Sequence, residues 1–224
     1  MTSAQLISWV VSAITFGTVI MFGCIGETIN QKAGNLNLGV PGIMQLGGIG
    51  ALTGAFIYES STATPNGTIG MICVLLCAIL ASALGSLIYS FLTVTLKANQ
   101  NVTGLTLTIF GTGIANFFGG SLMKLSGGVG SISVATTANV FKLRLPFISG
   151  KLGLFGSLFL NYGWMAYFCL ILAFVANYFL TKTRTGLNLR AVGENPATAD
   201  AAGINVTKYK YLASIIGGAI CGLG

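Results

Sequence analysis

Charged residues divide the chain into long apolar runs. No Asp, Glu, Lys or Arg occurs in the following ranges: 1–26, 33–58, 60–96, 98–123, 152–181 and 211–224. A helix that crosses a bilayer needs about 20 mostly apolar residues, and every run except the last is long enough. The pattern predicts an all-α fold, a polytopic bundle of transmembrane helices.

The runs place the predicted membrane segments in a single transmembrane domain over residues 1–224. The predicted segments are 5–26, 35–58, 69–96, 102–123, 164–180 and the start of another at 211–224. The last run is too short to span a bilayer. We therefore expect a chain that is shortened at its C-terminus, or a re-entrant half-helix at this position.

The second segment contains residues that disturb helices. Pro41 lies near its start, and glycines occur at 34, 39, 42, 47, 48, 50 and 54. Proline removes a backbone donor and clashes with the preceding turn, and sharp kinks concentrate at such residues. We therefore predict a broken helix over residues 35–58.

Small residues recur every four positions on two later segments. Such stripes let helices approach closely in lipid, so they predict packing faces. The stripes are Cys73, Cys77, Ala81 and Gly85; Ala78, Ser82, Ser86 and Ser90; and Ser214, Gly218 and Gly222.

The connections carry most of the polar residues. The first is a short link, ETINQKAG, with Glu27 and Lys32, and the link KANQN precedes the fourth segment. Residues 59–68 contain a Pro-Asn-Gly turn. Residues 124–163 form a Gly/Ser/Thr-rich connection for which a short surface helix or a re-entrant piece is expected.

Composition excludes a soluble domain. Only 7% of the residues are charged, against about 25% in a typical soluble domain, and 54% are hydrophobic. A net charge of +7 would suggest nucleic acid as the partner of a soluble protein. In a membrane protein the same charge reflects topology, so no nucleic-acid partner is expected.

The positions of Lys and Arg predict the orientation, because cytoplasmic loops carry an excess of both. With residues 181–210 in the cytoplasm, alternation of the spans places both short polar links there and the N-terminus outside. The inner side then holds seven basic residues and the outer side four. The seven are Lys32, Lys97, Lys182, Arg184, Arg190, Lys208 and Lys210, and the four are Lys124, Lys142, Arg144 and Lys151.

The side chains offer little for catalysis or metal binding. The chain has no His, the commonest general base and a frequent metal ligand. Its five Cys lie in hydrophobic runs, where we interpret them as small packing residues. The G-x-x-x-x-G-K-[ST] phosphate loop is absent, since Lys151 is followed by Leu152. We expect no enzyme activity, no catalytic residue and no metal site.

The 181–210 segment, the most hydrophilic of the chain, has the signals of a short capped helix at its centre. Asn195 is a favoured N-cap, Pro196 a favoured first residue, and Gly203 a typical residue just beyond a helix end. These signals predict two helical turns. So short a helix is marginal alone in water, and we expect it to lie in a groove of a partner or against the chain's own loops.

Two blocks of the sequence resemble one protein family. Residues 185–206 contain Thr-Gly-Leu-x-Leu-Arg-Ala-Val and then Gly-Glu-Asn-Pro-x-x-Ala-x-x-x-Gly-Ile. This block looks like the coupling loop of permease subunits of ABC importers for nucleosides and simple sugars, relatives of ribose-type and branched-chain amino-acid permeases. Residues 26–48, GETINQKAGNLNLGVPGIMQLGG, resemble the family's N-terminal block, although members often have an acidic residue where Pro41 stands.

The resemblance implies a multi-pass protein of the cell membrane that works with several partners. These would be a second permease subunit in a homodimer or heterodimer, two ABC ATPase subunits that hold ATP and Mg²⁺, and an extracytoplasmic solute-binding lipoprotein. No cofactor is expected in this chain. The implied ATPase-coupling residues are Glu194, Asn195, Pro196, Ala197, Asp200, Ala201 and Gly203.

Two groups of polar residues within the spans are candidates for the path of a small polar solute, a nucleoside or simple sugar. Asn35, Asn37 and Gln45 lie in the segment predicted to be broken, and broken helices often mark transporter sites; capping of helix ends is their alternative role. The second group recurs on one helical face, where packing through hydroxyls bonded to their own turn is the alternative. It consists of Gly104, Thr108, Thr112 and Asn116.

An ion-coupled secondary transporter of small polar solutes is the competing function. Such a transporter usually needs ionisable groups within its spans. Here the charges fall at interfaces or in loops, with Glu27 close to the membrane. The charge pattern therefore favours an ABC permease.

Overall fold

The computed structural model describes residues 3–125, 134–141 and 162–224, and these residues are predominantly helical. The four helices of the first half are α1, Ser3–Lys32; α2, Val40–Ser61; α3, Gly67–Ser90, which continues into a π-helical turn, Phe91–Thr95; and α4, Gln100–Leu125. The later helices are α5, Ala135–Phe141; α6, Trp164–Lys182; α7, Arg184–Glu194; α8, Pro196–Ala201; and α9, Val206–Leu223. The predicted all-α architecture is confirmed.

Five helices among the described residues are long and apolar enough to cross a membrane. They are α1 to α4 and α6, and each contains one of the five long apolar runs of the sequence. Many of their large apolar side chains are exposed, among them Phe16, Ile109 and Phe174. This exposure is expected where lipid is the solvent, because lipid tails are as apolar as the side chains they contact.

The first helix is longer than the sequence suggests. The prediction ended it at Gly26, but α1 continues to Lys32, so most of the expected ETINQKAG link is helical. The helix ends in a Schellman motif, in which the N–H of Gly34 donates to the Gln31 carbonyl and that of Asn35 to the Asn30 carbonyl. Gly34 has a φ of 79°, which glycine adopts without a steric penalty.

The predicted break within residues 35–58 is wrong. α2 is continuous from Val40 to Ser61, and Pro41 lies in its first turn, where a missing N–H costs no helical hydrogen bond. The irregular backbone lies before the helix, at residues 33–39. The glycines of α2 instead allow close packing between helices, since Gly42 faces the backbone of α4 at Gly111.

The small-residue stripes form the helix contacts that they predicted. Cys77 and Ala81 of α3 pack against glycines of α2, while Ser82 and Ser86 pack against Gly218 and Gly222 of α9. α9 also contacts α1 and α2, so it lies at the centre of the described helices.

The two short polar links and the 181–210 segment meet at one end of the bundle, which we call the basic end. The N–H of Leu36 donates to Gln100 Oε1 at 2.8 Å, and Gly34 contacts Gly193, so the two short polar links and the 181–210 segment lie together. The seven residues Lys32, Lys97, Lys182, Arg184, Arg190, Lys208 and Lys210 belong to these segments. The arrangement agrees with the alternation of spans that the sequence predicts.

The opposite end contains α5 and the loop between α2 and α3. The N–H of Thr137 in α5 donates to Glu59 Oε1 at 2.8 Å. α5 is the short helix expected within residues 124–163. Lys142, Arg144 and Lys151 of that connection lie outside the described residues.

Candidate functional site

Residues 33–39, which we call the polar link, join α1 to α2 at the basic end. The link is irregular, yet Ala33, Asn35 and Asn37 are buried. Unpaired backbone groups are costly inside a protein or a membrane. The link is therefore stable only if surrounding groups supply its hydrogen bonds.

Glu27 binds the far end of the polar link to α1. Its Oε1 accepts the N–H of Asn37 at 3.0 Å, and its Oε2 accepts the amide of Asn30 at 3.3 Å. Hydrogen bonds to an ionised group are stronger than those between neutral groups. One carboxylate thus fixes both the last turn of α1 and the chain that leads into α2.

Asn35 binds the polar link to α9. Its Nδ2 lies 3.1 Å from Ser214 Oγ, 3.3 Å from the Lys210 carbonyl and 3.4 Å from Asn30 Oδ1. The Ser214 hydroxyl donates to the same Asn30 oxygen at 2.7 Å. These buried side chains form a small polar cluster between α1, the polar link and α9.

The middle of the polar link is held by α3 and α4. The hydroxyl of Tyr89, a fully buried residue, donates to the Leu36 carbonyl at 2.7 Å, and Gln100 accepts the N–H of the same residue. The side chain of Asn37 accepts the N–H of Gly39 at 2.8 Å, which shapes the entry into α2. The link is therefore bonded to α1, α3, α4 and α9.

In the structure the side chains of Asn35 and Asn37 bond backbone groups, namely the Lys210 carbonyl and the Gly39 N–H, and neither caps α2 directly. Gln45, the third amide of that group, is exposed on α2. As residues of a solute path, all three remain predictions.

The second candidate group lies along the α2–α4 contact. The Thr108 hydroxyl is 3.2 Å from the Leu38 carbonyl and 3.3 Å from that of Gly104, and Thr112 donates to the Thr108 carbonyl at 2.8 Å. Both hydroxyls thus form hydrogen bonds to backbone carbonyls within the protein, as expected if this face serves helix packing. Asn116, one turn beyond Thr112, is exposed.

Gln45 and Asn116 flank the same contact between helices. On α2, Gln45 lies between Gly42 and Ile49, both of which contact α4. On α4, the residue near Ile49 is Gly119, three positions from Asn116. Helical residues three or four apart share a face. The exposed amides therefore lie on α2 and α4 beside the contact between these two helices.

α7, at the start of the 181–210 segment, was missed by the sequence analysis. Thr183 caps it by accepting the N–H of Gly186 at 3.0 Å, and its buried face consists of Gly186, Leu189 and Val192. A Thr N-cap followed by apolar residues three apart was the available signal. The many polar residues around it concealed the pattern.

α8 is the short helix that the sequence predicts. Asn195 Oδ1 accepts the N–H groups of Ala197 and Thr198 at 3.1 and 3.2 Å. Gly203, with a φ of 81°, ends the helix in a Schellman motif, where the N–H of Ile204 donates to the Ala199 carbonyl at 3.0 Å. The caps and the proline thus specify this helix locally.

α8 is attached to the protein along a narrow face. Ala199 is buried, with 3% of its surface exposed. All seven predicted coupling residues are exposed, namely Glu194, Asn195, Pro196, Ala197, Asp200, Ala201 and Gly203. A helix held by its caps and one alanine presents most of its surface to a partner.

The backbone just before α8 contacts the polar link directly. A Cβ at Gly193 would overlap the Lys32 carbonyl oxygen and lie 2.9 Å from the backbone nitrogen of Gly34. A Cβ at Gly34 would lie 3.1 Å from the Gly193 Cα. Both glycines lie in the two sequence blocks described above, but no local pattern indicates that they meet.

Comparison with known proteins identifies relatives over nearly the whole chain. Residues 9–224 match the family described as "Branched-chain amino acid transport system / permease component". No solved structure matches the chain.

Three curated proteins illustrate the similarity. The chain is 33% identical over 212 residues to the putative glucose ABC transporter permease protein TsgC13 of Haloferax volcanii, covering 94% of this chain and 59% of that protein. It is 28% identical over 216 residues to the nucleoside ABC transporter permease protein NupC of Lactococcus lactis, covering 96% and 65%. It is 29% identical over 226 residues to the guanosine ABC transporter permease protein NupQ of Bacillus subtilis, covering 100% and 68%. The chain thus spans about six tenths to two thirds of the length of these relatives.

Replacing Glu27 with Gln tests the role of its carboxylate in the polar link. Gln keeps one acceptor oxygen but presents an NH₂ group where the carboxylate faces a donor, so one hydrogen bond is lost. We expect the free energy of unfolding in detergent to fall by about 1.5–3 kcal/mol, the usual range for a hydrogen bond to a charged group. Thermal unfolding followed by the fluorescence of the native Trp residues measures the effect.

The control is Thr28→Val, because the exposed Thr28 hydroxyl donates only to its own helix, at the Cys24 carbonyl. Equal stability of Glu27→Gln and Thr28→Val would show that Glu27 does not hold the link.

Proposed function

The chain belongs to the branched-chain amino acid transport system / permease component family, and on this premise we propose that it is the permease subunit of an ABC importer. It is a multi-pass protein of the cell membrane, with five membrane-length helices among the described residues. Membership in this family favours a transport component over an enzyme. It does not favour the competing function, an ion-coupled secondary transporter. The observation that carries the proposal is the exposed helix α8, joined through Gly193 to the polar link.

In this proposal the basic end faces the cytoplasm. The seven basic residues gathered there follow the excess of Lys and Arg on cytoplasmic loops. The opposite end, with α5 and the α2–α3 loop, then faces outward. α8 is consequently presented to the compartment that contains ATP.

α8 is the proposed contact with the ATPase. A groove on each ATPase subunit receives this helix, and Glu194 and Asp200, both exposed, pair with basic groups there. ATP and Mg²⁺ belong to the ATPase and not to this chain. Closure of the ATPase dimer displaces α8 and, through the Gly193 contact, the polar link and the start of α2.

A second permease subunit and an extracytoplasmic solute-binding lipoprotein complete the proposed importer. The support is the similarity to the relatives named above, which are permease proteins of ABC transporters. Polar side chains exposed at membrane depth need water or protein against them. The surface with Gln45 and Asn116, beside the α2–α4 contact, is therefore the proposed lining of the translocation path.

A nucleoside or simple sugar is the proposed solute. Two of the relatives carry nucleoside or guanosine in their names and one carries glucose. Ribose and hexose both present several hydroxyl groups. The amides of Gln45 and Asn116 supply the donors and acceptors that such hydroxyls require.

A pair of substitutions at Gly203 tests the coupling role of α8. Gly203 has a φ of 81° and open space around it. A side chain added there therefore meets no other part of the subunit, and it changes only the local backbone conformation and the surface that docks on the ATPase. Asn adopts this conformation at a lower cost than Lys. We expect Gly203→Lys to lower both solute-stimulated ATP hydrolysis and solute uptake at least about tenfold, which corresponds to ~1.4 kcal/mol. Gly203→Asn should have activities near those of the wild type.

Both variants are compared in the assembled transporter at equal amounts in the membrane. Wild-type uptake and ATP hydrolysis with Gly203→Lys would contradict the coupling assignment.

Replacing Asn116 with Leu tests the solute path. The change removes an exposed amide without disturbing a helix contact, so we expect the KM for uptake to rise about fivefold to tenfold, as when a hydrogen bond to solute is lost, with basal ATP hydrolysis unchanged. Thr112→Val is the matched control on the same face, because its hydroxyl is bonded within α4. If the two variants transport alike, Asn116 does not line the path.

A further inference from the structure

A separate cleft opens at the basic end, and no residue of α8, α2 or α4 lines it. It lies between α1, α6 and α7 and has a volume of about 410 Å³. Its polar lining consists of Lys32 and Arg190 together with the side chains of Thr28, Asn177 and Thr181. None of these side chains belongs to the proposed ATPase contact or to the proposed solute path.

The cleft is strongly cationic. Lys32, the last residue of α1, and Arg190, in the middle of α7, both line it, and no acidic residue does so among the described residues. The Nε atom of Arg190 is buried and has no hydrogen-bond partner within the described part of the chain. Two cationic side chains without a carboxylate in the described lining suit the cleft to an anion.

The lining changes from charged to apolar with depth. On α6, Thr181, Asn177 and Ala173 follow one another every four residues, and on α1 the order is Lys32, then Thr28, then Ile25. Eight helical residues span about 12 Å. The cleft therefore has a polar mouth at the basic end and an apolar floor toward the middle of the bundle.

This gradient selects among anions. A free phosphate ion would satisfy the two cations but leave the apolar floor uncovered. A phospholipid places its phosphate at the membrane surface and an acyl chain below it, which matches both parts of the cleft. The guanidinium of Arg also fits phosphate oxygens in a bidentate manner.

We propose that this cleft binds an anionic phospholipid of the cytoplasmic leaflet, with its headgroup phosphate between Lys32 and Arg190 and an acyl chain along α1 and α6. Anionic lipids are a feature of that leaflet, and basic pockets between transmembrane helices bind their headgroups. The proposal depends on the basic end facing the cytoplasm. Because Arg190 lies on the helix that precedes α8, the bound lipid holds α7 against α1.

The test measures lipid preference in the assembled transporter, without ATP or solute. Purified complex in detergent receives phosphatidylglycerol or phosphatidylcholine of the same chain length, and native mass spectrometry and thermal unfolding report binding and stabilisation. A preference for phosphatidylglycerol is expected. Arg190→Gln and Lys32→Gln should each reduce it about fivefold, the loss of one favourable cation near an anionic lipid.

Lys97→Gln is the matched control, since Lys97 lies at the same end but outside the cleft. It should keep the wild-type preference. Inorganic phosphate, added alone, should neither stabilise the protein nor displace the lipid.

Three results would overturn the proposal. They are equal binding of the two lipids by the wild type, an unchanged preference in both cleft variants, and full stabilisation by inorganic phosphate, which would identify a free anion as the ligand. Neither ATP nor solute enters the measurement. A failure of the proposed transport function would therefore leave a positive lipid result intact, and the reverse holds as well.

Discussion

The backbone contact between Gly34 and Gly193 is the constraint on which the basic end depends. A side chain at Gly193 has no room against the Lys32 carbonyl and the Gly34 nitrogen. The left-handed backbone of Gly34 turns the chain at this point from α1 into the polar link. The same contact fixes α7 and, beyond it, α8. The polar link and the end of α7, which are distant in sequence, are thus in direct backbone contact, so a shift of one displaces the other.

The polar link turns that contact into a connection with the membrane helices. Its residues alternate between buried and exposed, and Glu27 of α1, Tyr89 of α3 and Gln100 of α4 bond its backbone groups. Asn35 adds the bonds to α9. A displacement at Gly193 therefore reaches the helices through directed hydrogen bonds. Apolar contacts between helices lack this directionality, which explains why a polar cluster occurs in so apolar a chain.

Local patterns in the sequence predict much of the fold. Uncharged runs locate the membrane-length helices, small-residue stripes identify the faces of α3 and α9, and Asn195, Pro196 and Gly203 specify α8. The extension of α1 to Lys32 was missed because its last turn is polar, although Asn30 of that turn is buried in the polar cluster. Pro41 was misjudged because proline is as typical of a first helical turn as of a break. The Gly34–Gly193 contact has no local signal, since it exists only after the helices have packed.

Transport by a Gly193→Ala variant tests most directly whether α8 acts on the membrane helices through this contact. The measurement is solute taken up per ATP hydrolysed in proteoliposomes that contain the complete transporter, with Gly120→Ala as the control, because Gly120 has open space around it. The account predicts that Gly193→Ala assembles with the ATPase and hydrolyses ATP but transports far less solute per ATP, while Gly120→Ala resembles the wild type. Wild-type uptake per ATP by Gly193→Ala would contradict it.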